Sequence, residues 1–349
     1  MSGPDAASLP PWLRRQLIQL QQQRGHAILL SGPAGLGQYE LALALARAWL
    51  CEAPSAEQGA CGRCDSCHAV DVRTHPDLFV LMPETLSIEL GWPLDERTQD
   101  KIDRKELKPG KFIRVDATRE AVAFTQFTRS RGDTKVVLVY PADRLNIESA
   151  NTLLKTLEEP PGALRFVLAT EATHALLPTI RSRCQTHALE WPQQDEAQSW
   201  LESVVKADAG LAGKTIAVAD LATWLRAAGG RPDEALTLAR LGLSASAWGV
   251  LPRSVANGDW SAIADWPAAR QLDLLQKICH DLMVQASGAA PRFFLPTDLP
   301  ANPGLAALLS WQKDLQRAAG SVEHPYNAGL LQEAWAGRAR AALAYTRLQ

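Results

Sequence analysis

The chain is short of several things, and each shortage excludes a class of protein. Six cysteines among 349 residues are too few for a disulfide scaffold. No apolar run approaches the roughly 18 residues that a membrane-spanning helix requires, so a place across a membrane is not expected. Charge of one sign is lacking too. Lys and Arg number 36 against 38 Asp and Glu, a formal net charge of −2 at pH 7, with a pI near 6.4. A broad, sequence-independent grip on DNA needs many more cations to displace counterions. Residues Met1 to Pro10 carry neither the basic start nor the apolar centre of a secretion signal and read as a short disordered lead-in. These absences predict a soluble, cytoplasmic protein. What is present is core material: 46% of residues are hydrophobic, enough for two to three domains at this length. The eleven tryptophans are scattered, as packing anchors are, rather than clustered as a platform for stacked bases.

The most informative stretch is Gly32-Pro33-Ala34-Gly35-Leu36-Gly37-Gln38-Tyr39. It keeps the G-x-x-x-x-G frame of a nucleotide-binding P-loop. A working loop follows that frame with Lys, which reaches the β/γ-phosphates, and with Ser or Thr, whose hydroxyl ligates Mg²⁺. Gln38 and Tyr39 stand in those places. His26 to Leu30 reads as a buried strand entering the loop and Leu41 to Leu50 as the helix leaving it. On its own, a glycine-rich turn between strand and helix is only a turn.

Cys51, Cys61, Cys64 and Cys67 follow with the spacing C-x9-C-x2-C-x2-C, and Gly59 and Gly62 supply turns. In a reducing compartment thiolates so spaced favour a tetrahedral Zn²⁺ over free thiols or a redox pair. Four protein ligands leave no place for a reactive water, so the metal is read as structural. His68 and His75 could substitute as ligands, but with four cysteines in hand both read as solvated loop residues.

The third feature runs from Lys135 to His187. Val136 to Tyr140 is a continuous apolar strand whose carboxyl end would carry, in a parallel-sheet NTPase, the acidic residue of the magnesium site. Here the acid is Asp143, three residues late. Ser149 to Pro161 reads as a helix stopped by Pro160-Pro161. Arg165 to Thr170 is another buried strand, and Leu177 to Cys184 closes the segment.

The runs Leu153-Leu154-Lys155-Thr156-Leu157-Glu158-Glu159-Pro160-Pro161 and Ser182-Arg183-Cys184, with a four-cysteine insertion after the P-loop helix, resemble the bacterial clamp-loader branch of the AAA+ proteins. The decayed loop places the resemblance with the delta-prime family of DNA polymerase III rather than with the ATP-hydrolysing gamma/tau subunits. It is specific over about residues 24 to 190 and architectural beyond. The resemblance implies an α/β AAA+ (RecA-like) domain over 1–192 with the zinc module at 51–67 inserted, a small helical lid domain over 193–241, and an all-α collar domain for oligomerisation over 242–349. It implies that Arg183 reaches a neighbour's ATP as a finger acting in trans, with Ser182 and Cys184 framing it and Arg181 supporting the loop. Without that motif, Arg183 would read as a surface arginine in a salt bridge worth about 0–1 kcal/mol. Thr170 fits the family's polar sensor position. Asp233 stands where active members place a sensor arginine, with Arg231 two residues earlier. No ATP is expected on this subunit. The implied partners are the gamma/tau ATPase subunits and the delta subunit, with the sliding clamp and primed DNA reached through the complex. Two other classes compete: a motor subunit with an unusual loop, opposed by the joint loss of lysine, hydroxyl and acid, and a zinc-dependent nucleic-acid-binding regulator, opposed by flanks (53–59 and 69–77) whose one basic residue is Arg73.

Ile88 to Lys111, rich in charges of both signs, looks longer than the family's corresponding loop and reads as a solvated excursion. Ile113 to Glu120 opens a helix with Asp116 as its N-cap. Farther on, Asp195 to Val205 and Ile216 to Ala227 read as short amphipathic helices. Leu272, Leu275, Ile278, Cys279 and Leu282 repeat at helical spacing, as do Leu305, Leu308 and Leu309, then Leu330, Leu331, Trp335, Ala342 and Leu343; these stripes read mostly as core.

Overall fold

Consecutive rather than alternating apolar residues mark strands covered on both faces, and the computed structural model pairs such runs in one parallel sheet. The structure describes residues 9–208, 210–211, 216–322 and 327–343, which fall into two compact units divided after Pro192.

The first unit runs α1 (Pro11–Gln21), β1 (Ala27–Ser31), α2 (Gln38–Leu50), α3 (Asp65–Asp71), β2 (Leu78–Leu81), α4 (Glu84–Leu90), α5 (Glu96–Asp103), α6 (Val115–Gln126), β3 (Lys135–Val139), α7 (Ile147–Glu158), β4 (Leu164–Thr170), α8 (Pro178–Arg181) and β5 (Gln185–Ala188). The strand order is β2-β3-β4-β1-β5. β1 lies between β4 and β5, with Leu29 opposite Leu168 and Leu30 opposite His187. Every residue of β1 and β3 is buried. Phe166, Val137, Leu153 and Leu157 join them in one apolar cluster, each large side chain contributing about 1.5–3 kcal/mol by leaving water. The P-loop, Asp143 and Glu171 follow the carboxyl ends of their strands, where open parallel sheets place their chemistry, whereas Glu158 and Arg183 precede the amino ends of β4 and β5.

Several local expectations need correction. Asp116 does not cap α6: the cap position is Arg114, which makes no side-chain cap bond, and Asp116 lies inside the first turn, paired with Arg119 at 3.0 Å. The charged excursion is solvated as expected, with none of α5 buried, though part of it is helical. It is anchored by Trp92, which is 9% exposed. His75 is not solvated; it is buried, with Nδ1 accepting from the Asp77 amide at 3.1 Å. Of the expected lead-in, residues 1–8 lie outside the described residues, while Leu9 and Pro10 are buried parts of the folded unit.

The second unit is helical: α9 (Gln194–Ala207), α10 (Val218–Ala227), α11 (Pro232–Arg240), α12 (Ala245–Asn257), α13 (Ala268–Ala286), α14 (Leu305–Ala319) and α15 (Ala328–Leu343). Leu201, Trp224, Trp248, Ile278, Trp311 and Trp335 belong to a single apolar cluster, and Cys279 is a fully buried thiol within it. Buried Asp281 accepts from the backbone amides of Arg292, Phe293 and Phe294 at 3.0, 2.7 and 2.9 Å, which hangs that connection on α13. The stripes are not wholly core: Leu305, Leu309 and Leu330 are about half exposed or more. Among the described residues no helix is long and apolar enough to cross a membrane.

Candidate functional site

The loop after β1 is shaped by Gly37, whose φ of 94° disfavours any side chain; a Cβ there would lie 2.5 Å from Leu13 Cδ1. Gln38 opens α2 at 2% exposure. Its amide nitrogen turns back and donates to the carbonyls of Gly32 and Pro33, each at 2.7 Å. The side chain at the lysine position therefore laces the loop to itself instead of reaching beyond it. Tyr39, 8% exposed, accepts a 2.6 Å hydrogen bond from Trp92 Nε1, and its ring lies 5.3 Å from that of Tyr140. Burial raises the Tyr39 phenol above its ordinary range. Arg73, carried just past the end of α3, lies over the Trp92 ring at 5.6 Å.

Carboxylates surround this aromatic plug. Tyr140 donates to Glu171 at 2.9 Å, and burial followed by the charge of Glu171 drives its pKa up. Glu40 is raised by burial, with Glu171 adding to the effect. Asp143 accepts from Thr170 Oγ1 at 2.7 Å and from the Glu171 amide at 3.3 Å, so the late acid is engaged by the sensor-position threonine. This corner gathers a neutral amide, two phenols and three carboxylates, with Arg73 over Trp92 and Arg144 3.8 Å from Asp143.

The four cysteines converge. All four sulfurs lie within 4.8 Å of one another, with Cys51–Cys64 at 3.9 Å and Cys61–Cys67 at 4.0 Å. A tetrahedral ion with Zn–S bonds near 2.3 Å sets sulfurs about 3.8 Å apart, so the donor set fits. Gly59 and Gly62 take φ of 83° and 72°, the turns that bring the cysteines together. Backbone amides of Cys61 and Cys67 point at Cys51 Sγ and Cys64 Sγ, at 3.2 and 3.4 Å, a pattern that favours thiolate. The Arg63 amide, chiefly, lowers Cys61 to about 6, whereas burial raises Cys51 and Cys67, so in the absence of an ion the four thiols are not equally disposed to ionise. His68 is exposed on α3.

Arg183 follows α8, with its side chain 29% exposed. Its Nε donates to Glu158 Oε1 at 2.6 Å, and Nη2 contacts the same oxygen. Nη1 donates to the Thr179 carbonyl at 2.8 Å and lies 3.3 Å from Ser182 Oγ. Glu158 is the last residue of α7, directly before the segment that Pro160 and Pro161 stop. The two sequence runs singled out above thus meet in one ion pair. Burial pushes the Cys184 thiol up to about 12, which suits a packing role. Arg181 is exposed. In the second unit, Arg231 is the residue before α11, its Nε on the Ala228 carbonyl at 2.8 Å, and Asp233 lies in the first turn. Sequence reasoning missed Trp92, Glu40 and Glu171. The one available signal was an isolated tryptophan inside a charged stretch.

The family described as DNA polymerase III, delta subunit, matches residues 13–193. The DNA polymerase III subunit delta' of Pseudomonas aeruginosa is 40% identical over 197 residues, 56% of this chain and 53% of that protein. The subunit delta' of Escherichia coli K12 is 34% identical over 298 residues, 80% of this chain and 78% of its own length. Subunit tau of Escherichia coli K12 is 30% identical over 180 residues, 52% of this chain and 24% of its own. Among solved structures, a gamma subunit-related protein of Thermotoga maritima aligns with 95% of this chain and 99% of its own at 17% identity with a TM-score of 0.45, too distant to add to the argument.

Proposed function

This chain belongs to the DNA polymerase III delta-prime family, and on that premise we propose that it serves a sliding-clamp loader without hydrolysing ATP, lending Arg183 in trans to a neighbouring ATPase subunit. The observation that carries this reading is an asymmetry between the two edges of one sheet. The chain's own P-loop is laced shut by Gln38, while Arg183 stands partly exposed on a framed loop.

A guanidinium brought to a γ-phosphate offsets the charge that develops during transfer. Hydrolysis by the neighbour then depends on correct assembly, because the cation belongs to a different chain. The neighbour is a gamma/tau ATPase subunit; on its other side this chain braces the delta subunit, and sliding clamp and primed DNA are engaged through the complex. Residues 193–241 act as a lid and 242–349 as a collar that holds the hetero-oligomer together. Cys51, Cys61, Cys64 and Cys67 would hold Zn²⁺ as a structural cross-link, since four thiolates close its coordination.

Two measurements test this. Calorimetric titration of the purified chain with Mg·ATP is expected to give no heat of binding; binding with phosphate release would make it a motor subunit. In the reconstituted loader, Arg183→Ala is expected to depress DNA-stimulated ATPase and clamp loading, and unchanged rates would remove the finger role.

A further inference from the structure

We infer that Glu158 is a positioning residue for Arg183, holding the guanidinium by its side edge so that its outer end is left to meet an anion on another chain. The inference deepens the proposed trans-acting role and rests on it.

A guanidinium has five N–H donors in a rigid plane: one on Nε and two on each terminal nitrogen. Glu158 Oε1 takes the Nε hydrogen and one from Nη2, and the Thr179 carbonyl takes one from Nη1. That uses three. The longer contact to Ser182 Oγ, at 3.3 Å, is the weak one. These contacts leave over one hydrogen on Nη2 and one on Nη1, the latter held only by the longer contact to Ser182 Oγ, and we assign them to the end of the fork. Two parallel N–H groups at that end are the arrangement that takes a phosphate in bidentate fashion.

The placement of Glu158 is itself built. It closes α7, and the Pro160-Pro161 stop ends the helix at this turn. Thr179 and Ser182 fix the other side, with Ser182 Oγ donating to the Thr179 carbonyl at 3.1 Å. Two segments far apart in sequence thus grip one side chain, although Arg183 and Glu158 are both accessible, at 29% and 47%. A long arginine left free would search many rotamers; one already oriented meets the developing charge without reorganisation.

The test uses the reconstituted loader with unaltered motor subunits, after incorporation of each variant has been confirmed by sizing. Glu158→Ala is expected to lower kcat of the DNA- and clamp-stimulated ATPase about tenfold, short of the roughly hundredfold that an ångström of misplacement can cost, with KM little changed. Glu158→Gln, whose amide oxygen still accepts from Nε, should recover part of that loss and guards against a folding artefact. The Glu158→Ala, Arg183→Ala double variant should be no slower than Arg183→Ala alone, because both act through one group. If Arg183→Ala lowers kcat but Glu158→Ala leaves it unchanged or raises it, positioning is overturned while the finger survives. Additive losses in the double variant also overturn it. If Arg183→Ala itself has no effect, both readings fall together.

Discussion

Two corners at opposite edges of the same sheet, the P-loop at its carboxyl edge and Arg183 at its amino edge, have gone in opposite directions. At the P-loop corner every group that would handle nucleotide has turned inward: Gln38 and Tyr39 are 2% and 8% exposed, one bonded to its own loop and the other to Trp92. At the Arg183 corner the chemical group stays accessible, held by hydrogen bonds at its base. The difference teaches that the P-loop corner is filled and not merely short of two residues: Gln38 and Tyr39 occupy it with hydrogen-bonded and aromatic matter, and acids lie around it. On the proposed reading the task of Arg183 lies on another chain, and its corner could not be filled in that way without losing that task.

The largest effect separating the corners is expected at Arg183. A trans arginine is worth about 10³–10⁵ in kcat in well-studied phosphoryl-transfer systems, so Arg183→Ala should cost the assembled ATPase on that order. Arg183→Lys should recover little, since an ammonium keeps the charge but not the fork. Neither change should alter the thermal unfolding of the isolated chain much, because the pair with Glu158 is half exposed and such pairs contribute about 0–1 kcal/mol. A large loss of stability would break the comparison by making Arg183 structural.

Trp92→Ala is the mirror experiment. Truncating a buried tryptophan costs about 3–5 kcal/mol, and this one also leaves the Tyr39 hydroxyl without its donor. The variant should show a lower denaturant midpoint, with ATPase of the assembled loader near normal wherever the chain is folded. A folded, equally stable variant would mean that Trp92 merely covers the loop.

How much of this was readable beforehand differs between the corners for a physical reason. The parallel sheet was legible because continuous apolar runs such as Val136-Val137-Leu138-Val139 have no solvated face to explain them otherwise. The convergence of the four cysteines was legible because short spacing forces proximity. The vacated loop could be read as an absence, from Gln38 and Tyr39, but what fills it could not: Trp92 lies 53 residues from Tyr39 in sequence, inside a stretch whose charge suggested only solvent. Likewise Glu158 and Arg183 are 25 residues apart, and each belonged to a recognisable run without either run naming the other. His75 was misjudged because the stretch around it gave no apolar period, yet it is buried beside Asp77, whose carboxylate holds the amides of Ser130 and Arg131 at 2.9 and 2.6 Å.

A direct attempt to reverse the closure is the Gln38→Lys, Tyr39→Ser double variant. It restores the two residues a P-loop lacks, and it removes the amide that bonds Gly32 and Pro33 and the ring that meets Tyr140. The expected outcome is no Mg·ATP binding by calorimetry, since Glu40 and Glu171 remain and Asp143 is engaged by Thr170. Stability should fall by about 2–4 kcal/mol, as for large-to-small changes at buried sites. Measurable ATP affinity would show that the closure is only two residues deep.

The smallest expected effect tests the sign of the charge at the closed corner. Burial, with Glu171 adding, raises Glu40 above its ordinary value of 4.5, so in the window between that value and its raised pKa the native chain binds more protons than the unfolded one. Stability must then fall as pH rises through this window. Above the raised pKa the charged Glu40 carries its full penalty; below 4.5 it carries none. Glu40→Gln, which stays neutral, should therefore be more stable than the parent at neutral pH, and the gap should narrow as the solution is acidified and close below the ordinary carboxylate range. Denaturant midpoints of both proteins across that range would read the slope. A gap that widened on acidification would mean that a favourable partner holds Glu40 ionised, and the closed corner would then hold a cation rather than exclude an anion.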